Sequence, residues 1–249
     1  MGRMALKPAK TRAVPAVHAD PVVPPHRDGV VPLHRLEAFS DAVFAFAVTL
    51  LVVSLEVPKS APELFAAMRG FVAFGICFLF LAMIWVEHSR FFQRFPLTDA
   101  LTVALNMLLL FVVLLYVYPL KFLFAALTDG LWAQPSVSID SVAQVRSLMI
   151  VYGIGFLTVN LVLVAMRLNA PRQMRRRAPG DFGALERLAL QTGLLRNMAQ
   201  ALVAVGSIMI VALTRDDGFY AGMIYILLAP IGTLVGLQHR RQLRRLAGA

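Results

Sequence analysis

A short polar and aromatic motif stands at the start of the first apolar run of the chain. It comprises Arg35, Phe39, Ser40 and Asp41, with three residues between the arginine and the phenylalanine. Ionisable side chains inside a membrane segment are costly, so they indicate a functional or structural role by default. A carboxylate and a hydroxyl at this position can either brace a neighbouring helix or contact a cation, and bracing is the better supported of the two.

The residues that follow the motif predict a helix with two different faces. At 100° per residue, Ser40 and Asp41 point away from a stripe of bulky apolar side chains. That stripe consists of Phe39, Phe46, Leu50 and Val53, with Thr49 on its shoulder. A stripe of this kind by itself is more typical of helix packing or lipid contact than of a pore.

The composition of the whole chain indicates a membrane protein. Its 249 residues are 59% hydrophobic and only 15% charged, with a mean hydropathy of +0.71. Soluble domains are about one quarter charged. The net charge of +10 lies in short stretches between long apolar runs, which favours a membrane over nucleic acid as the surrounding of the chain. Cys77 is the one cysteine, so an intrachain disulfide and a thiolate metal site are excluded.

Six apolar stretches are long enough to cross a bilayer, which takes about 20 residues. The sequence therefore predicts an all-α membrane protein with six transmembrane helices. The predicted spans are Ala38–Val57, Leu64–Val86, Ala100–Leu120, Leu148–Met166, Asn197–Thr214 and Phe219–Leu237.

The distribution of basic residues predicts the orientation of these spans. Eighteen of the 24 Lys and Arg residues lie before the first span, in the second and fourth connections, or after the last span. Basic residues mark the cytoplasmic side, so both termini are expected there. We expect residues 1–31 to form a disordered cytoplasmic arm, 32–239 the transmembrane domain, and 240–249 a basic cytoplasmic tail. The basic cluster at 172–177 fits a topology anchor, or a site for anionic lipid headgroups.

The motif and its setting resemble the transmembrane protein 175 family of potassium channels, in its single-repeat bacterial form. Trp85 and His88 resemble the Trp-x-x-His region of that family. Asn106 with the leucines after it, and Pro119 closing the third helix, are also similar to it. The resemblance covers residues 33 to about 240.

The resemblance implies a passive, potassium-preferring channel, with a pore lined by the first helix of each subunit. The constriction positions would be Phe46, Leu50 and Val53, with Thr49 as a neighbouring polar ring. Phe46 departs from the Ile or Leu usual there. Potassium would be the permeant ion, and no cofactor, metal, nucleic acid or enzymatic activity is implied. The expected assembly is a homotetramer among membrane lipids, in a bacterial plasma membrane as a multi-pass protein.

Several residues have a structural interpretation alongside this one. Ser40 and Asp41 are expected to brace helices, the latter against Arg35 of a neighbouring subunit or against His88. Trp85 is expected to act as a packing anchor and Asn106 to join helices by hydrogen bonding. The alternative function is a secondary cation transporter or exchanger, although the chain shows no evident inverted repeat. A Thr-Val-Gly-Tyr-Gly carbonyl filter and a P-loop are also missing from the sequence.

Overall fold

The computed structural model describes residues 30–53, 58–129, 138–177, 183–214 and 218–247. Within these ranges the chain forms helices and no strand. The helices are α1 (Leu33–Val53), α2 (Ala61–Arg94), α3 (Ala100–Asp129), α4 (Val142–Arg177), α5 (Ala184–Leu213), α6 (Phe219–Met223) and α7 (Leu228–Ala247). A 3-10 turn, Ile224–Leu227, joins α6 to α7.

Five helical stretches within the described residues are long and apolar enough to cross a membrane. They are Ala61–Arg94, Ala100–Thr128, Val142–Arg176, Ala184–Leu213 and Tyr220–Arg245. The all-helical membrane class predicted from the sequence is therefore confirmed. Helix α1 is not among the five, since Arg35, Glu37 and Asp41 interrupt its N-terminal half. The predicted sixth span remains a prediction.

The helices extend further than their apolar cores indicate. Helix α2 continues to Arg94 and α4 to Arg177, so the basic cluster expected in a connection instead lies on the last turns of α4. Pro119 does not close the third helix, because α3 continues to Asp129 with Pro119 inside it. Proline is tolerated within membrane helices, where neighbouring groups satisfy the carbonyl that it leaves unpaired.

Polar residues at two helix starts fix where α2 and α3 begin. Ser60 Oγ accepts from the backbone N–H of Glu63 at 3.4 Å, and Glu63 Oε2 accepts from the N–H of Lys59 at 2.7 Å. This reciprocal arrangement satisfies donors that a helix start leaves free. Asp99 Oδ2 likewise accepts from the N–H of Thr102 at 3.2 Å, which caps α3.

Helix α3 lies at the centre of the bundle and packs against α1, α2 and α4, while α5 packs against α4 and α7. The fully buried side chains along these contacts include Leu51, Leu81, Phe92, Leu109, Val113 and Met166. Gly155 permits a close approach of α4 to α3, because a Cβ there would lie 2.2 Å from the ring of Tyr116. Buried apolar area and close packing thus hold α1 on one side of the bundle.

The chain enters α1 through a hydrogen-bonded turn. The backbone N–H of Val30 donates to the carbonyl of Thr98 at 2.9 Å. The carbonyl of Pro32 then accepts from the N–H groups of Arg35 and Leu36, at 3.0 and 3.2 Å. Residues 1–29, which make up nearly all of the predicted disordered arm, lie outside the described residues.

Candidate functional site

A buried chain of hydrogen bonds joins α1, α2 and α3 through one motif residue and two further predicted site residues. Ser40 Oγ donates to the carbonyl of Leu36 at 2.8 Å and accepts from Asn106 Nδ2 at 2.9 Å. Asn106 Oδ1 lies 2.7 Å from His88 Nε2. Since the amide oxygen only accepts, His88 carries a proton on Nε2 in this arrangement. Ser40, His88 and Asn106 are each at most 1% exposed, so the structure brings these three predicted site residues together as one interhelical network.

Asp41, the last residue of the motif, contacts α2 directly. Trp85 Nε1 donates to Asp41 Oδ1 at 2.7 Å. The partner of Asp41 is therefore Trp85, and His88 instead reaches Ser40 through Asn106. The carboxylate is exposed on the single chain, so its second oxygen remains open to another partner.

Two aromatic rings pack against the ring of His88. The ring centroid of His88 lies 5.6 Å from that of Phe44 on α1 and 4.9 Å from that of Phe92 on α2. Its Nδ1 atom has no hydrogen-bond partner within the described residues. The histidine is thus held by its hydrogen bond to Asn106 of α3 and by ring packing against Phe44, which places α1 against α2.

The face of α1 opposite this network is uncovered in the single chain. Phe39 and Phe46 are 52% and 56% exposed. Thr49 is also exposed, and its hydroxyl donates to the carbonyl of Ala45 at 2.9 Å. Leu50 is half-buried against the core, so it lies on the flank of the uncovered face rather than at its centre. The side chain of Val53 lies outside the described part of the chain.

Arg35, the first residue of the motif, is exposed at the start of α1. Within the described residues of one chain it does not meet Asp41 or any other carboxylate in an ion pair. A contact between Arg35 and Asp41 of a neighbouring subunit remains a prediction.

A second polar cluster, which the sequence did not single out as a site, joins α2, α4 and α5. Glu87 Oε2 accepts from Arg167 Nη2 at 3.0 Å and also from Arg196 Nη2. Arg90 Nη1 lies 3.8 Å from Glu87 Oε1. Arg167 is only 5% exposed. The signal available in the sequence was the position of Glu87, between Trp85 and His88 at the end of an apolar run.

A third polar cluster joins the start of α3 to α4. Asn169 Nδ2 donates to Asp99 Oδ2 at 2.9 Å and to Thr102 Oγ1 at 3.0 Å. Thr102 Oγ1 in turn donates to Asp99 Oδ1 at 2.7 Å. Burial raises the pKa of Asp99, but the hydrogen bonds from Thr102 and Asn169 outweigh burial and hold that pKa below its ordinary value. Asp99 is therefore ionised at neutral pH and serves as a structural acceptor.

Among the described residues, no group of three or more His, Cys, Asp or Glu side chains is placed to hold a metal ion. The buried polar side chains of Ser40, His88 and Asn106 instead form hydrogen bonds that hold α1, α2 and α3 together. Together with the five long apolar helices, this arrangement defines a multi-pass helical membrane protein whose first helix is fixed on one face and bare on the other.

The comparisons with known proteins give that protein a family. The family model described as endosomal/lysosomal potassium channel TMEM175 matches residues 35–116. This range includes the motif, Trp85 and His88 of α2, and Asn106 of α3. A curated potassium channel of Marivirga tractuosa is 33% identical over 224 residues, which is 85% of this chain and 90% of the relative. The chain belongs to the TMEM175 family of potassium channels.

Solved structures agree with this assignment. A variant of the potassium channel MtTMEM175, crystallised with a nanobody–MBP fusion, matches with a TM-score of 0.72 and 32% identity over 83% of this chain and 93% of that one. A homologue, from Chamaesiphon minutus, of the lysosomal potassium-selective channel TMEM175 matches with a TM-score of 0.55 and 22% identity. That match covers 82% of this chain and 97% of the other, and it shows the fold alone.

Proposed function

We propose that this chain is the subunit of a channel that conducts potassium passively and in preference to sodium, with α1 lining the pore. The observation that carries the proposal is the two-sidedness of α1. Hydrogen bonds of Ser40 and Asp41 fix one side of the helix to α3 and α2. On the other side, Phe46 and Thr49 are exposed in the single chain. A helix held in this way presents a defined row of side chains to whatever lies beyond it.

The row has the chemistry of a narrow neck rather than of a lipid-facing surface alone. Phe46 supplies a bulky apolar ring, and Thr49 supplies a hydroxyl one turn further along. The Thr49 proton is donated to the carbonyl of Ala45, so the oxygen lone pairs remain available to a cation. Carbonyls of a helix are committed to helical bonds and cannot replace the water around an ion. Selectivity would then depend on how readily each cation sheds water at collars formed by Phe46, Leu50 and Val53.

One copy of α1 cannot enclose a pore, so the proposal requires several subunits around an axis. Closed cyclic symmetry is the usual solution. We propose a homotetramer in which each subunit crosses the membrane six times, with α1 as the sixth span beside the five long apolar stretches. Residues 32–239 would form the channel, with the N-terminal arm and the basic C-terminal end both in the cytoplasm. A native mass measurement in mild detergent should give four chains, and a stable monomer or dimer would contradict this arrangement.

The relatives lend support to potassium as the permeant ion. The Marivirga tractuosa protein and the MtTMEM175 structure are both described as potassium channels. Neither name favours the secondary cation transporter that the sequence alone left open.

The test is ion flux from liposomes that contain the purified full chain. We expect potassium and caesium to leave rapidly, sodium more slowly, and the rate to rise with concentration with little saturation. Protein-free liposomes serve as the control. Flux that saturates at low concentration, or that requires a counter-transported ion, would contradict a channel.

A further inference from the structure

A cavity of about 620 Å³ lies among α2, α4, α5 and α7, at the end of the bundle that the basic residues predict to be cytoplasmic. Its volume falls within the range of about 300–1,000 Å³ found for small-molecule sites. Six charged side chains line it: Glu87, Arg90, Arg94, Arg167, Arg196 and Arg240.

The charges around this cavity do not balance. Glu87 is contacted by Arg90, Arg167 and Arg196, so one carboxylate meets three guanidinium groups. Arg94 lies 3.6 Å from a second carboxylate, Glu186, just outside the cavity. Arg240 on α7 makes no ion pair within the part of the chain that the structure describes. Five arginines therefore face two carboxylates, which leaves three positive charges unmatched there.

The most deeply buried arginine of the cavity is paired, since the Arg167 side chain is 6% exposed and lies 3.0 Å from Glu87. The remaining arginines are more exposed, with Arg90 at 68% and Arg94 at 41%, and Arg240 is exposed as well. Water solvates these charges, but together they give the cavity a net positive potential that attracts an anion. An anion inside the cavity would supply the missing negative charge. The guanidinium fork matches the oxygens of phosphate better than a lysine ammonium does, because it donates two parallel hydrogen bonds.

The walls leave room for such an anion beside the arginines. A Cβ placed on Gly232 or Gly236 of α7 would meet nothing within 4 Å, so this wall is open. Gly193 of α5 lets Arg167 approach, since a Cβ there would lie 2.3 Å from Arg167 Nε. Thr192 donates its proton to the carbonyl of Leu188 and so receives the Nδ1 proton of His239 at 2.9 Å. That bond fixes His239, a further nitrogen base, in the cavity wall.

We propose that this cavity binds a phosphate-bearing anion, which bridges α7 to α2, α4 and α5. The shared chemistry is a phosphate group with at least one full negative charge, carried either by an anionic phospholipid headgroup or by a soluble ion. The site is distinct from the pore face of α1, and its occupation does not depend on whether the chain conducts ions.

Binding is measured as the rise in the thermal unfolding midpoint of the full-length protein in a neutral detergent and a chloride-free buffer. One arm titrates phosphatidylglycerol, a second titrates inorganic phosphate, and phosphatidylcholine serves as the uncharged-headgroup comparison. The variants are Arg240→Ala and Arg90→Ala, both exposed side chains whose loss should leave the fold intact. Arg241→Ala is the matched control, because it removes the same charge from the next residue of α7, which does not line the cavity.

We expect a saturable rise for the unmodified protein and for Arg241→Ala in at least one anionic arm, and none with phosphatidylcholine. Arg240→Ala and Arg90→Ala should each need about five-fold more of that anion, the factor expected for one basic residue near an anionic group. A rise with phosphatidylglycerol alone identifies a lipid headgroup as the source, and a rise with inorganic phosphate identifies a soluble one. The proposal is overturned if neither anion stabilises the protein, or if Arg241→Ala weakens binding as much as Arg240→Ala does.

Discussion

Trp85 donates its indole proton to the carboxylate of Asp41 at 2.7 Å, so the end of α2 holds the start of α1 in a fixed rotation. The adjacent residue, Ser40, is tied to α3 through Asn106. Two consecutive residues of α1 thus reach two different helices. Since neighbouring positions on a helix differ by 100°, these two bonds together fix which side chains α1 presents on its uncovered face.

The Asp41–Trp85 contact should appear as a coupling between the two positions. Hydrogen bonds to a charged group contribute about 1.5–3 kcal/mol, and exposure of Asp41 should bring this one near the lower limit. We expect Asp41→Ala and Trp85→Phe each to lower the thermal unfolding midpoint, and the double variant to lose little more than either single one. Additive losses would show that the two side chains do not interact in solution.

Asn106 should be the most sensitive position of the buried network. Asn106→Ala removes the partner of His88 Nε2 and one partner of Ser40 Oγ at once, while both groups stay buried. An unsatisfied buried polar group costs about 1–3 kcal/mol. We therefore expect weak assembly and a clearly lower unfolding midpoint. Met107→Ala, at a partly exposed neighbour, is the control and should change little. Equal behaviour of the two variants would contradict the network.

Loss of the Glu87 charge should lower the stability of the folded protein, and the additional loss of the Arg167 charge should restore part of that stability. Glu87→Gln leaves Arg167, Arg90 and Arg196 close together without a negative charge, and breaking a buried pair by removing one member costs about 3–5 kcal/mol. We expect the double variant Glu87→Gln with Arg167→Met to unfold at a higher temperature than Glu87→Gln alone. A double variant that is less stable than the single one would contradict the charge imbalance described above.

Asp99 should make folding stability depend on pH in the acid range. Its pKa in the folded protein lies below its ordinary value, so its contribution is fully present above the pKa of the unfolded chain and is lost as the pH falls through the lowered pKa. The unmodified protein should therefore exceed Asp99→Asn in unfolding midpoint at pH 6, and the difference should shrink below about pH 4. A difference that stays constant from pH 6 to pH 3 would show that the charge of Asp99 has no role.

The sequence predicted the membrane class and contains the motif, but it could not predict which side chains the motif residues would hydrogen-bond to. Hydropathy identified the apolar cores of five spans, because every backbone group must be paired in lipid and helices do this locally. The sixth predicted span, on α1, stays a prediction. Hydropathy placed helix ends too early, because the polar last turns of α2 and α4 have no apolar signal. The partners of Asp41 and Glu87 depend on contacts 44 and more residues away, which helical periodicity does not encode.

The helical projection of α1 separated the face that carries Phe46 from the face that carries Ser40, and the structure shows the same two faces. It placed the centre of the exposed face too close to Leu50. It grouped Leu50 with Phe46, whereas Leu50 is half-buried against the core and Thr49 is exposed. The shift follows from tertiary packing, since α2 and α3 cover α1 on the side that Ser40 and Leu51 occupy. A projection fixes angles between residues but not the rotation of the helix about its axis.

The proposed pore face gives the most direct prediction. Phe46 and Val53 are separated by about 10 Å along the helix axis, at roughly 1.5 Å per residue, with Leu50 between them. Repeated around an axis, these positions would form stacked apolar collars that limit hydration of a passing ion. Phe46→Ala should therefore raise cation flux in liposomes and reduce the preference for potassium over sodium. Leu50→Asn should act in the same direction but less strongly, because Leu50 lies at the flank.

Two controls distinguish pore lining from loosened packing. Val48 lies on the flank of α1 that faces α2, beside Phe44 and Trp85, and it is half-buried. Val48→Ala should lower the unfolding midpoint by the loss of about one to two buried methylene groups, at ~0.8 kcal/mol each, with ion preference unchanged. Met83, 65% exposed on α2, should be silent in both measurements when changed to alanine. The proposed pore places Phe46, but neither Val48 nor Met83, beside the passing ion. If Val48→Ala or Met83→Ala reduces the potassium preference as much as Phe46→Ala does, the uncovered face of α1 does not line the conduction path.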